Sequence, residues 1–277
     1  MLKRIVVILL SIIISIFMSG CGASESIKIK LGLKNSDFEY IKEGNAKKII
    51  IQSTRDKGFK FVLTDLQAIK QMYDILASGK EVSEQSNLEP DYIFEIYEKG
   101  AVVHSYNYIA GIDKEDGANF YGDNKSYIVS SRLDNDVLKH FSNIRKPKYF
   151  EQIYYGSIIE TIKKDLIKGK EENGEIGSVG VDISNDLGIS KFILSTELLT
   201  FDSKLKSEFK NCELVQKGKE YDTLVNVITE GYKSDVYKAK IFISKENKVK
   251  EQIYYVSCKY ESGSWDTKIS TEKPTDF

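Results

Sequence analysis

Histidine, cysteine, arginine and proline are scarce in this chain of 277 residues, and each shortage closes a class of chemistry. Two histidines, His104 and His140, cannot build a three-histidine zinc site, and no HExxH or paired CxxC spacing occurs. His104 falls in a strand pattern and His140 late in a helical one, where a cation suits the helix dipole, so both read as structural or solvated residues. Only three prolines, with 41% hydrophobic and 11% aromatic residues, argue against long disordered tracts. The GxSxG nucleophile elbow, the GxxxxGK[ST] phosphate loop and the GxGxxG turn are all absent. Ser203-x-x-Lys206 and Ser207-x-x-Lys210 match SxxK, but no Lys-Thr-Gly follows and both lysines lie on the polar side of a predicted helix. Acidic stretches at 113–117 and 182–188 miss calcium-loop spacing, because the required sixth-position glycine is Ala118 in one and Leu187 in the other. The sequence therefore implies no metal, no cofactor and no catalytic residue.

What is present begins at the N-terminus. Lys3 and Arg4 precede an apolar run over 5–18, about fourteen residues, too short for a hydrocarbon core that needs roughly twenty. The run ends in Met18-Ser19-Gly20-Cys21, which resembles the lipobox of bacterial lipoproteins. That resemblance implies a signal peptide over 1–20, cleavage before Cys21, and a diacylglyceryl group on Cys21 as the lipidation site. Two acyl chains anchor stably where one does not. Residues 21–26 would form a short lipidated tether, and the partner implied is the cell membrane itself, contacted from its extracytoplasmic face. Lysine far outnumbers arginine, isoleucine is abundant and alanine scarce, a usage that resembles low-GC Gram-positive proteins. Losing Lys3 and Arg4 with the leader takes 40 basic residues to 38 against 41 acidic ones, a net charge near −3 with no electrostatic reason to bind nucleic acid. With Cys21 lipidated, Cys212 and Cys258 remain. Spacing allows either a disulfide closing about 47 residues, worth roughly 4 kcal/mol in the chain-entropy account, or two buried thiols.

After the tether, helix and strand signals mix. Strand patterns cover 47–53 and 58–63; Thr64-x-x-Gln67 fits a capping box opening a helix with Leu66, Ile69, Tyr73 and Leu76 on one face, stopped by Gly79. Residues 92–98 and 101–109 suit a hairpin, 126–130 a short strand, and 132–143 a helix. Pro147 marks a boundary. A helical stripe then runs from Phe150 to Leu166 and ends at Gly169, with a linker over 170–177. A strand over 179–183 and a helix over 190–210 follow. Four strands complete the chain, at 221–230, 236–244, 250–260 and 264–270, with turns at Gly231, Glu246-Asn247 and Ser262-Gly263. The recurrence of Glu-Gln-Ile-Tyr-Tyr at 151 and 251 is coincidental, because one copy sits in a helix pattern and the other in a strand.

Phe61-Val62-Leu63-Thr64-Asp65-Leu66, the hairpin over 92–109 and the helix closing near 145 resemble the YhfM-like domain of Firmicute lipoproteins. Helices followed by long strands, ending in Cys258-Lys259-Tyr260-Glu261-Ser262-Gly263-Ser264-Trp265, resemble an NTF2-like or cystatin-like domain. The expected fold class is α+β: a YhfM-like domain over 27–146 and an NTF2-like or cystatin-like domain over 147–277, each a mostly antiparallel sheet with packed helices. Neither resemblance carries catalytic residues to positions here. Tyr106, Tyr108, Tyr121 and Tyr127 suit either a binding surface or ordinary strand packing, and Trp265 either a concave binding face or a core plug. The resulting expectation is a non-enzymatic, lipid-anchored envelope protein acting on a small-molecule ligand or a protein partner. The alternative is an envelope hydrolase whose carboxylate pair the sequence does not locate.

Overall fold

In the computed structural model, residues 34–277 are described apart from 43, 99–100, 113–116, 123, 139–145, 174–176, 246–250 and 276. The leader, Cys21, the tether, the acids at 113–116, His140 and the end of the helix expected over 132–143 lie outside the described residues. The described chain is α+β, with two mainly antiparallel sheets and flanking helices.

The first sheet runs in the order β2-β1-β4-β5-β6-β7-β3. Its strands are β1 (Ala46–Ser53), β2 (Lys60–Leu63), β3 (Lys80–Glu81), β4 (Tyr92–Glu98), β5 (Ala101–Tyr108), β6 (Phe120–Gly122) and β7 (Lys125–Ile128). Alternation sends Ile49 and Ile51 of β1, and Phe94 and Ile96 of β4, to one buried face. Phe38, just before helix α1 (Glu39–Lys42), covers that face with Ile41 of α1 and Ile69, Met72, Tyr73 and Leu76 of α2 (Leu66–Ala77). The cap of α2 is Asp65, whose carboxylate accepts from the Ala68 N–H at 2.9 Å, not Thr64 as the capping-box reading has it. Leu66 accordingly points outward, at 65% exposure. Tyr106, Tyr108 and Tyr127 are core residues and only Tyr121 is half-buried, so this cluster is strand packing. In place of a regular helix after Ser130, a π-helical turn spans Leu133–Leu138, burying Leu133 and Val137.

The second sheet has the order β13-β12-β11-β10-β8-β9. Strands β10 (Thr223–Tyr232), β11 (Val236–Lys245), β12 (Gln252–Glu261) and β13 (Ser264–Ser270) form an antiparallel meander, while β8 (Val179–Asp182) lies parallel to β10 and to β9 (Cys212–Leu214). The β12–β13 turn has positive φ at both Ser262 (53°) and Gly263 (89°), the geometry that matches strand twist in two-residue hairpins. Gly231 is no turn: it sits within β10 at a register shift, and the chain reverses at 233–235. Helix α3 (Phe150–Asn173) continues through Gly169, since a single glycine inside a helix costs about 1 kcal/mol and need not end it. Tyr154, Ile158 and Ile162 of α3, with Phe201 and Leu205 of α4 (Ser195–Glu208), pack on Val225, Ile241, Tyr254 and Val256.

Cys212 and Cys258 do not pair. Both thiols are free and buried, on β9 and β12, which are separated by β8, β10 and β11. Four strand spacings amount to roughly 19 Å, far beyond disulfide reach.

Candidate ligand cleft between the two units

Beyond β8, the helix expected over 190–210 is broken. A 3₁₀ turn covers Ser190–Phe192, Ile193 and Leu194 are extended, and α4 begins only at Ser195. The break has a tertiary cause. Extending the chain there lets Leu194 pack on the core of the first unit and carries the Ser195 N–H to Asp91, 2.8 Å away. Asp91, 2% exposed, also accepts from Arg55 Nη1 at 2.6 Å and from the Ala110 N–H at 2.9 Å. Arg55 Nη2 donates to Ser195 Oγ at 2.5 Å, and that hydroxyl donates to the Glu89 carbonyl at 2.7 Å. Burial pushes the Asp91 carboxyl above its ordinary range, against the opposing pull of Arg55 and two backbone N–H groups. A buried carboxylate that satisfies this many donors ties the two units at one point.

The segment joining them is fixed as well. The Lys148 N–H donates to the Ser234 carbonyl at 2.9 Å, and Trp265 Nε1 donates to the Lys148 carbonyl at 2.9 Å. Trp265 is half-buried, edge-on to Tyr260 and packed against the core of the second unit, and its indole N–H fixes the start of that unit at Lys148.

Around these ties a cleft of about 640 Å³ opens, within the range of small-molecule sites. The first unit contributes Phe59, Tyr92, Gly111, Asp134 and Leu138; the second contributes Glu151, Lys191, Phe192 and Leu194; Lys146 stands at the junction. Gly111 has φ +72°, a conformation glycine adopts freely, and its N–H donates to Asp134 Oδ2 at 3.2 Å. Tyr108 Oη donates to Asp134 Oδ1 at 2.9 Å. Burial raises the Asp134 carboxyl and the nearby Asp91 charge adds to the rise, while those two donors oppose it. Behind the second wall, Glu197 accepts from the Leu194 N–H at 3.3 Å and from Tyr155 Oη at 3.4 Å. Burial lifts the Glu197 carboxyl to about 7, opposed by Lys146 and reinforced by Glu151. Tyr92 Oη makes no hydrogen bond among the described residues.

The residues singled out from sequence lie elsewhere. His104 stacks on Tyr40 at 4.0 Å and sits 3.6 Å from Glu98. Ser203 and Ser207 donate to carbonyls within α4, and Lys206 pairs with Asp202 at 2.6 Å. Asp182 accepts from Ser184 at the start of a loop. No group of acids, histidines and cysteines suited to a metal ion occurs among the described residues, and no helix among them is long and apolar enough to cross a membrane. The cleft residues were missed because they come from six separate segments and carry no motif. Pro147, next to Lys146, is the one signal that pointed near them.

Comparison with known families bears on one wall only. The family model described as YhfM protein matches residues 42–147. The N-terminal unit is YhfM-like. The match holds the first sheet and every first-unit cleft residue, and it stops where α3 begins, so Glu151, Lys191, Phe192 and Leu194 fall beyond it. No curated protein and no solved structure matches the chain.

Proposed function

We propose that this protein is a lipid-anchored, extracytoplasmic binding protein that holds a small-molecule ligand in the cleft between a YhfM-like unit and an NTF2-like or cystatin-like unit, without catalysing a reaction. The carrying observation is that cleft: its walls come from both units, its lining mixes aromatic rings with polar groups, and the Asp91 node fixes its two sides. The anchor reading rests on Met18-Ser19-Gly20-Cys21 behind a basic start and a short apolar run. Helix α3 across an antiparallel meander supports the reading of the second unit.

Two experiments test this. Cys21→Ala is expected to leave the protein folded but release or mislocalise it, read by fractionating cells; attachment that persists through a high-salt wash counts against the anchor. Melting the full chain with a small-molecule extract of the cell envelope is expected to raise its Tm. The alternative, an envelope hydrolase, is favoured only by the raised Asp134 and Glu197 carboxyls. Glu197 does not line the cleft and is directed at the Leu194 N–H and Tyr155 Oη, which weakens that reading. Specific turnover of an ester or glycoside by the purified chain would restore it.

A further inference from the structure

Four charged side chains line the cleft and form no ion pair among the described residues, although Lys146 is near enough to Glu197 to oppose the rise of its carboxyl. Lys146 and Lys191 form no ion pair among the described residues, although carboxylates are plentiful in this chain. Both ammonium groups instead lie near one aromatic ring: Lys146 Nζ is 5.7 Å and Lys191 Nζ 5.3 Å from the Phe192 centroid. Lys191 also lies 5.9 Å from the Phe59 centroid, and Lys146 lies 4.8 Å from that of Phe150. Asp134 and Glu151 line the same cleft, again with no ion pair among the described residues. Asp134 belongs to the first unit and is satisfied only by a phenol and a backbone N–H. The lysines of a second hollow, on the outer face of the second sheet and about 670 Å³ in volume, are placed differently. There, Lys219 pairs with Glu213, Lys245 with Asp165 at 2.7 Å, and Asp222 accepts from Ser178. Lys219 and Lys245 there are paired within the protein, whereas Lys146 and Lys191 of the cleft form no ion pair among the described residues.

Charges of both signs that form no ion pair among the described residues, set around apolar rings, suit a ligand that is itself both cation and anion with an apolar body. We propose that the cleft binds a zwitterion of amino-acid to tripeptide size with free termini, its carboxylate toward Lys146 and Lys191, its ammonium toward Asp134, and an apolar side chain against Phe59 and Phe192. Tyr92 Oη supplies a free hydrogen-bonding group between the walls. This assignment rests on the cleft being the ligand site, and it makes the ligand bridge the two units.

The test is calorimetric titration of the full chain in detergent with phenylalanine, Ala-Phe and Ala-Ala-Phe, each also as its N-acetyl and C-amide form. One-to-one binding of at least one free-termini member is expected, weakened about tenfold or more by either cap, since a charge-assisted hydrogen bond typically contributes about 1.5–3 kcal/mol. Lys191→Met and Asp134→Asn are each expected to weaken it about tenfold to a hundredfold, with melting curves reporting that both variants fold. Lys268→Met, on the exposed end of the second sheet at 80% side-chain exposure, is expected to leave binding unchanged. Equal binding of capped and free forms, or no binding by any member, overturns the ligand class. In that case an envelope extract that still raises the Tm of the wild-type chain, but not of Phe192→Ala, preserves the cleft as a ligand site; an extract without effect removes both readings.

Discussion

Asp91 illustrates how much one side chain can depend on residues distant in sequence. It takes donors from Arg55, Ala110 and Ser195, and its side chain is 1% exposed against 19% for Arg55. Removing one member of a buried pair strands the other, so Arg55→Ala is expected to lower unfolding stability by about 3 kcal/mol, measured by denaturant titration. Arg132→Ala breaks an exposed pair with Asp136 and is expected to cost below about 0.5 kcal/mol in the same assay. Glu197 adds a pH dependence. Its folded value near 7 exceeds the ordinary 4.5, so between those values the folded chain keeps a proton the unfolded chain has lost. Its contribution is full below the ordinary value and disappears as pH rises through about 7. Wild type is therefore expected to melt higher at pH 5.5 than at pH 8, and Glu197→Gln to narrow that gap; an unchanged gap would contradict the assignment. Burial raises the carboxyls of Asp91, Asp134 and Asp186 as well, and they act in the same direction. Burial also pushes the Cys212 and Cys258 thiols to about 12 and about 11. Alkylation of both at pH 8 is expected only after denaturation, with no change in Tm on adding reductant.

At the scale of elements, local periodicity told most of the story. The β4–β5 hairpin, β13 and helices α2 and α3 were legible because each has a repeating apolar stripe or alternation over many residues. The failures share a cause. Strands β6 and β9 have three residues each, too few for alternation to register, and they exist because a neighbouring strand pairs with them. The continuous helix over 190–210 failed because contacts with the first unit favour extended backbone at Ile193 and Leu194 over a helical continuation. The α2 cap offers a clean check between Thr64 and its neighbour. Asp65→Ala is expected to cost about 1 kcal/mol and Thr64→Ala close to none, by thermal melting.

For the whole molecule, legibility reverses. The fold class could be read along the chain, but the candidate site could not, since it forms only where the two units meet. None of the cleft residues was suspected from sequence, and the residues that were suspected, His104, Ser203 and Lys206, are occupied by neighbours. The Asp91 node and Leu194 in the first core hold the two walls in register, and the Trp265 bond fixes Lys148 at the start of the second unit. A site so built should be lost when the units separate, even if each sheet survives. The most direct measurement is an amide chemical-shift map of the isotope-labelled chain titrated with small molecules from the cell envelope. Shifts are expected to cluster at Tyr92, Gly111, Asp134, Lys191, Phe192 and Leu194, spanning both units. Shifts gathered instead on Leu224, Asn226 and Ser244 of the outer sheet face, or no saturable shifts at all, would contradict the account.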